Sequence, residues 1–350
     1  MSLIDLSISN PTLAKLDLPE ANLPIGTLAY TPSPSGSLQT REAISRYYAE
    51  EFSSDVSPEH LLLTTSTSEA YSYCFKLIAD AGATILLPQP SYPLLQFLVE
   101  AEALTPVTYP LHQADGQWIL DRHHLAAACN DSTRAIVVVS PNNPTGHFLS
   151  TEDTLWLIDF ARDRYWIICD EVFADYSWGT ATDQCRSLTS IGANNVLCLS
   201  GLSKICALPQ MKLGWIAMPP SPQLRNNLEL IADTYLSVSA PIQYAAIDWL
   251  ASRPTFQAPI RLRCRENLNL IAAKLQGSAW NLLPVKAGWT AILRGPAYLN
   301  EEDLALKLLD AGFLAQPGFY YDLAFPCSLV LSLLTPPADL ALGLSAIRLS

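Results

Sequence analysis

Between about residues 40 and 245, short continuous apolar runs alternate with longer amphipathic segments. The apolar runs show no polar–apolar alternation, which is the pattern expected of strands whose two faces are both covered. Strand–helix alternation on this scale predicts an α/β fold with a mostly parallel, doubly wound sheet. The predicted strands are 83–88, 135–140, 166–170, 195–200 and 212–218, and the predicted helices are 41–52, 69–80, 151–164 and 222–235.

The pattern changes after residue 245. A basic helical run at 260–276 precedes two further apolar runs, 288–295 and 328–335. We therefore predict a large α/β domain over residues 41–244. A smaller α+β domain would be built from residues 245–350 together with residues 1–40. The latter form a proline-rich arm that we expect to wrap another surface.

Composition argues against several classes of function. The 350 residues carry a formal net charge of −12 and contain no uninterrupted run of basic residues, which argues against nucleic acid and anionic membranes as partners. No apolar stretch reaches the roughly 18 residues of a membrane helix. The N-terminal sequence MSLIDLSISNPT lacks a basic leader followed by an apolar segment, so we expect no secretory signal.

The eight cysteines are scattered, and several, such as Cys169 and Cys198, lie inside apolar runs. The sequence has no C-x-x-C pair and no ladder of histidines. We interpret the cysteines as reduced, buried thiols of a cytoplasmic protein without a metal site. Cys206 could act as a nucleophile, but a thiol in the core is the interpretation we favour.

Lysine is rarely buried without a reason, yet Lys204 and Lys212 are the only charges in the apolar segment 199–219. In open α/β sheets, ligands bind beyond the carboxyl ends of the strands. The residues that follow the predicted strands are therefore candidates for a site. These segments are 88-PQPSYP-93, 141-PNNPTG-146, 170-DEVFADY-176 and 200-SGLSK-204, and the hydroxyl-rich 64-TTSTSEA-70 precedes a predicted helix.

Each of these segments also has a purely structural interpretation. Ser66 and Glu69 have the spacing of a capping box, NNPTG is a good turn, and a single loop lysine is usually solvated. Together, however, they suit one chemistry. A hydroxyl-rich helix N-terminus binds phosphate, an acid at a strand end can hold a pyridinium nitrogen, an aromatic ring can stack, and a desolvated lysine can form a Schiff base. This combination predicts pyridoxal phosphate, whereas the nucleotide motifs GxxxxGK[ST] and GxGxxG are absent.

In the order of these motifs along nearly the whole chain, the sequence resembles the class I/II aminotransferases of the fold-type I pyridoxal-phosphate family. The resemblance implies that Lys204 is the Schiff-base lysine and then moves the proton of the substrate Cα. It implies that Tyr30 reaches the phosphate of a neighbouring subunit, and hence a homodimer with shared active sites. The other implied cofactor contacts are Asp170 to the pyridine nitrogen, Asn143 to the 3′ oxygen, Tyr92 by stacking, and Ser66, Thr67 and Ser68 to the phosphate.

The sequence departs from this family pattern in three places. Phe173 stands where many relatives have a tyrosine that contacts the 3′ oxygen. Gly201 and Lys212 stand where relatives have a serine and an arginine on the phosphate. Lys212 can still supply charge, and Ser200 or Ser203 could supply the hydroxyl. Val330 stands where relatives carry the arginine that binds the substrate α-carboxylate.

The resemblance implies an aminotransferase that moves an amino group from an amino acid or amine to a 2-oxo acid. Two alternatives remain open. A decarboxylase or lyase of the same fold would use the same cofactor, because substrate anchoring decides which bond breaks. The second alternative is a non-catalytic regulatory protein that binds the cofactor, although we expect no DNA-binding segment ahead of the fold.

The sequence does not decide which residues contact the substrate. The segments that border the substrate in relatives contain Asn10, Trp289, Tyr320 and Tyr321, for which ordinary loop and core positions are an equal alternative. Residues 317–325 lie where relatives have a mobile loop, so closure over a substrate is expected there.

Overall fold

The computed structural model describes residues 3–23, 31–114, 116–178 and 184–349. Its strands are β1 (Ile4–Asp5), β2 (Leu61–Thr64), β3 (Thr84–Gln89), β4 (Thr105–Ala114), β5 (Gln117–Leu120), β6 (Thr133–Val139), β7 (Trp166–Asp170), β8 (Val196–Gly201), β9 (Gly214–Ala217), β10 (Asn281–Leu282), β11 (Thr290–Arg294), β12 (Phe313–Leu314), β13 (Gln316–Pro317) and β14 (Ser328–Ser332). Its α-helices are α1 (Leu38–Phe52), α2 (Thr67–Ile78), α3 (Leu94–Ala101), α4 (Arg122–Ala128), α5 (Thr151–Ala161), α6 (Leu202–Ile205), α7 (Pro222–Asp233), α8 (Ala240–Ala251), α9 (Arg253–Leu275), α10 (Glu301–Asp310) and α11 (Pro337–Leu349).

The large sheet has eight strands in the order β2-β9-β8-β7-β6-β3-β4-β5. Its central strands β3, β4, β6, β7 and β8 are parallel. The predicted α/β fold with a mostly parallel sheet is confirmed, and each of the five predicted strands is present. Strand β9 is antiparallel to both of its neighbours, and β5 extends the sheet by an antiparallel hairpin with β4.

Both faces of the large sheet are buried, which explains the continuous apolar runs. Successive residues of a strand point to opposite faces. Ile167 and Cys169 pack into the core formed with helices α1, α5 and α8, whereas Ile168 packs into the core formed with α2, α3 and α7. A strand between two such layers has no face left for polar residues.

A second, four-stranded antiparallel sheet has the order β10-β11-β14-β13. It carries its own core, to which α9, α10 and α11 contribute. The first residues of the N-terminal arm contact this sheet, since the backbone N–H of Ser332 on β14 donates to the Leu6 carbonyl at 2.8 Å. Strand β1 pairs with β12 in a separate two-stranded sheet. The division into residues 41–244 and the remainder stays a prediction. In the described ranges, no helix has both the length and the apolar character needed to cross a membrane.

Candidate active site

The parallel strands β3, β6, β7 and β8 present their carboxyl ends at one edge of the large sheet. The segments that follow them, the N-terminus of α2 and part of the small sheet surround a cavity of about 440 Å³. Every predicted site residue that the structure describes lines this cavity, namely Ser66, Thr67, Ser68, Tyr92, Asn143, Asp170, Ser203, Lys204 and Lys212. Tyr30 lies outside the described residues, so its predicted role stays a prediction.

Lys204 lies in the one-turn helix α6, directly after β8. Its Nζ is 5.1 Å from the ring centroid of Trp289 and 5.4 Å from that of Phe173. Burial lowers the pKa of the Lys204 amine from its ordinary 10.5 to about 8, and the charge of Asp170 opposes only part of this shift. A substantial neutral fraction near pH 8 is what an amine needs to act as a nucleophile. This environment gives a physical reason for a lysine in an apolar segment.

Asp170 is the last residue of β7 and is buried. Its carboxylate accepts hydrogen bonds from the Val172 N–H at 3.1 Å and from the Tyr71 hydroxyl at 3.2 Å. Burial raises the pKa of Asp170 to about 6, and the two hydrogen bonds together with Lys204 limit that rise. Tyr71 was not predicted from the sequence. The sequence signal for Tyr71 is its position one turn after Thr67, in the helix whose N-terminus is predicted to bind phosphate.

Asn143 follows β6 in the PNNPTG segment, between two prolines that are both preceded by cis peptide bonds. Its side-chain carbonyl oxygen is buried and has no hydrogen-bond partner in the described part of the chain. An unpaired buried polar group costs about 1–3 kcal/mol. The Asn143 amide therefore has hydrogen-bonding capacity that a ligand in the cavity could use.

The N-terminus of α2 supports both interpretations of the TSTSEA segment. Ser66 is the N-cap, and its Oγ accepts a hydrogen bond from the Glu69 N–H at 3.2 Å. The first N–H groups of a helix have no partner within the helix and attract anions. Strand β9 lies directly against this helix start, because a Cβ built on Gly214 would be 2.9 Å from the Ser66 carbonyl carbon and 3.1 Å from the Thr67 nitrogen.

The structure gives a reason for Gly201. A Cβ at this position would lie 2.9 Å from the Leu213 carbonyl oxygen and 3.0 Å from the Gly214 Cα, so a serine does not fit unless the backbone shifts. Of the two serines that could supply the hydroxyl, Ser203 lines the cavity. Ser200 is buried and does not line the cavity.

The substrate side of the cavity comes mainly from the small sheet and the arm. Trp289, Tyr321 and Val330 line it. Asn10 does not, since it caps the 3-10 helix Pro11–Leu13. Tyr320 is exposed and packs edge-on against Phe319, outside the cavity lining.

All eight cysteines are free thiols, and seven are buried. Cys206 packs in the core, its Sγ 3.4 Å from the Trp249 carbonyl oxygen, and burial raises the pKa of this thiol well above its usual range. Within the described ranges, one group of side chains has ligand atoms close enough to hold a metal ion. It consists of His112, Asp121 and His124, and none of the three lines the cavity.

Comparison with known proteins identifies the family. The family model "Aminotransferase class I and II" matches residues 2–347, so the chain belongs to the class I and II aminotransferases. It is 28% identical to the putative aminotransferase YugH of Bacillus subtilis over 254 residues, which is 71% of this chain and 64% of the relative. It is 26% identical to an aspartate aminotransferase of Pyrococcus horikoshii over 234 residues, 67% of this chain and 59% of the relative. The chain thus matches less than two thirds of the length of these curated relatives.

The fold is that of the solved aminotransferases. The crystal structure of a tyrosine aminotransferase from Leishmania infantum superposes with a TM-score of 0.87 at 21% sequence identity, covering 99% of this chain and 90% of that one. The fold is therefore that of the fold-type I aminotransferases.

Members of this family use pyridoxal phosphate, and the donor set of the cavity fits it. Lys204 is a desolvated amine, Asp170 a buried carboxylate, and the Asn143 amide has unused hydrogen-bonding capacity. The start of α2 offers N–H and hydroxyl groups to a phosphate. Strand β9 approaches it so closely that only glycine fits at position 214.

Proposed function

We propose that the chain is a pyridoxal-phosphate-dependent aminotransferase that moves an amino group from an amino acid or amine to a 2-oxo acid. The observation that carries this proposal is the presence in one cavity of the desolvated Lys204 amine, the buried Asp170 carboxylate and the N-terminus of α2. When bound, pyridoxal phosphate supplies an electron sink for the carbon that bears the substrate nitrogen.

Lys204 carries two roles in this proposal. Its Nζ anchors the cofactor covalently, and after release it holds the proton that moves to and from the substrate carbon. A pKa of about 8 suits both roles, because the amine is neither fully protonated nor strongly basic near neutral pH. The aromatic rings of Trp289 and Phe173 exclude water from one side of the amine.

The remaining residues bind and orient. Asp170 pairs with the pyridine nitrogen, Asn143 donates to the 3′ oxygen through its Nδ2 amide N–H, and Tyr92 stacks on the ring. Tyr71 holds the Asp170 carboxylate in place through its hydroxyl. The phosphate is held by Ser66, Thr67, Ser68, Ser203 and Lys212, and by Tyr30 of a neighbouring subunit.

Two further parts belong to this proposal. A homodimer with shared active sites follows from the implied role of Tyr30. A cytoplasmic location is supported by the eight unpaired cysteines, which are typical of a reducing compartment.

The test is an absorption spectrum of the purified protein, followed by borohydride reduction and peptide mapping. A visible cofactor band that is lost on reduction, with the adduct on Lys204, supports the proposal; Lys204→Ala is the control and should lack the adduct. Donor amines and amino acids are then added in single turnovers. Release of carbon dioxide or ammonia without conversion of the cofactor to its amino form would instead indicate a decarboxylase or lyase, and no reaction with any donor would refute the proposal.

A further inference from the structure

The wall of the cavity on the substrate side is apolar at its centre. Val330, on β14, is 1% exposed and lines the cavity between its sheet neighbours Ile292 on β11 and Gln316 on β13. Trp289 lines the same cavity and is 2% exposed. The ring of Trp289 packs edge-on against Phe173 at 5.4 Å, and both rings face the Lys204 amine.

The hydroxyl groups of Ser332 and Thr290, which the small sheet contributes to this lining, are already engaged. Ser332 Oγ donates to the Ile8 carbonyl and accepts from the Leu334 N–H at 3.0 Å. Thr290 Oγ1 donates to the Pro144 carbonyl at 2.9 Å. A ligand would have to break these hydrogen bonds to use either donor.

One buried donor in this wall remains unused. The indole N–H of Trp289 has no hydrogen-bond partner among the described residues. This N–H can donate a hydrogen bond to a neutral oxygen of a ligand. Because the indole carries no charge, it cannot neutralise a carboxylate.

The charged side chains of the cavity also disfavour a substrate carboxylate at this wall. Among the described lining residues, the cations are Lys204 and Lys212, and the proposed function uses the first for the covalent link and the second for the phosphate. Asp170 adds a buried carboxyl group. A substrate carboxylate placed against Val330 would be desolvated without a partner, which is strongly unfavourable.

We propose that the substrates of this site carry no carboxylate on the carbon that loses or gains nitrogen. The donor is then an apolar primary amine of the alkyl or arylalkyl class. Donor and acceptor use the same cavity in turn, so the acceptor is an aldehyde or ketone in place of the 2-oxo acid. This inference rests on the proposed aminotransferase function, narrows its donor to the amine and replaces its 2-oxo acid acceptor by a carbonyl compound without the carboxylate.

The exchange is balanced. The donor carbon loses its bonds to nitrogen and to one hydrogen and becomes a carbonyl with oxygen from water, so it is oxidised by two electrons. The acceptor carbon gains the nitrogen and one hydrogen while its carbonyl oxygen leaves as water, so it is reduced by two electrons. No external oxidant is required.

The experiment uses the cofactor-loaded protein in single turnovers with matched donors that differ by one carboxylate. The pairs are 2-phenylethylamine with phenylalanine, and 3-methylbutylamine with leucine. We expect each amine to convert the cofactor with a second-order rate constant larger by about tenfold or more than its amino acid partner. Faster reaction of the amino acids would overturn the inference and leave the proposed function standing. No reaction with any of these four donors would also overturn the inference, whereas the proposed function is refuted only if the wider donor screen fails as well.

A binding measurement tests the role of Val330 separately. By titration calorimetry, we expect wild-type protein to bind 3-phenylpropanoate no more tightly than the neutral 3-phenylpropanol. Val330→Arg should favour the carboxylate by about tenfold or more, whereas Val330→Met, which adds bulk without charge, should not. Clear preference of the wild type for the carboxylate would overturn the inference even if Val330→Arg failed to fold.

Discussion

Replacing Lys204 by methionine in protein prepared without cofactor should change the pH dependence of stability in a defined direction. The Lys204 pKa lies at about 8 in the fold and at its ordinary 10.5 in the unfolded chain. The native state therefore binds this proton less tightly than the unfolded state does. The resulting destabilisation is absent above pH 10.5, grows as the pH falls, and is complete once the pH is well below 8.

The size of the effect follows from the two pKa values. Since one pKa unit corresponds to about 1.4 kcal/mol, the protonated Lys204 costs about 3 kcal/mol of folding free energy at pH 7. Raising the pH from 7 to 9 deprotonates Lys204 in the native state only. Wild-type stability should thereby rise by about 1 kcal/mol relative to Lys204→Met, which lacks the titrating group.

The assay is urea unfolding of both proteins at pH 7, 8 and 9. The quantity compared is the difference in unfolding free energy between variant and wild type, so that other titrating groups cancel. Lys212→Met makes the same lysine-to-methionine exchange at an exposed position of the same cavity and is the matched control. A Lys204→Met difference that does not change between pH 7 and 9 would refute the assigned environment of Lys204.

Three further changes test the cavity. Asp170→Asn should stabilise the cofactor-free protein most above pH 6. The pKa of Asp170 is raised from its ordinary 3.8 to about 6, so the destabilisation by its ionised form grows as the pH rises from about 3.8 and is complete above 6. The same change should weaken cofactor binding in an equilibrium titration. Ser66→Ala removes the N-cap of α2 and should cost about 1 kcal/mol in urea unfolding, with weaker binding of inorganic phosphate. Gly201→Ala places a Cβ against the Leu213 carbonyl and should cost about 1–3 kcal/mol by the same assay.

The sequence predicts the central strands well because burial on both faces leaves a continuous apolar run. Strand β7, for example, has the predicted bounds 166–170. Strand β4 could not be found in this way. Its sequence TPVTYPLHQA contains two prolines and several polar residues, and most of its positions are only partly buried or exposed. Its membership in the sheet depends on pairing with β3 and β5, which no local pattern reveals.

The cofactor side of the cavity was predictable because each side chain directly follows a strand or begins a helix. The packing around these side chains was not. The contact of Tyr71 with Asp170 joins residues 99 positions apart, and the Trp289 ring reaches Lys204 from a different sheet. Gly201 looked like a lost serine in the sequence, and only the approach of Leu213 shows that a side chain would not fit there.

The two sides of the cavity can change independently because they belong to different sheets. Lys204 and Asp170 stand at strand ends of the large sheet, whereas Val330 lies within β14 of the small one. Neighbouring Leu329 packs into the opposite core, so exchanging the side chain at 330 leaves the register and the far face of β14 in place. A substitution there alters which substrate is held without altering how the cofactor is held. We therefore expect Val330 variants to change donor preference while keeping the visible cofactor band of the wild type.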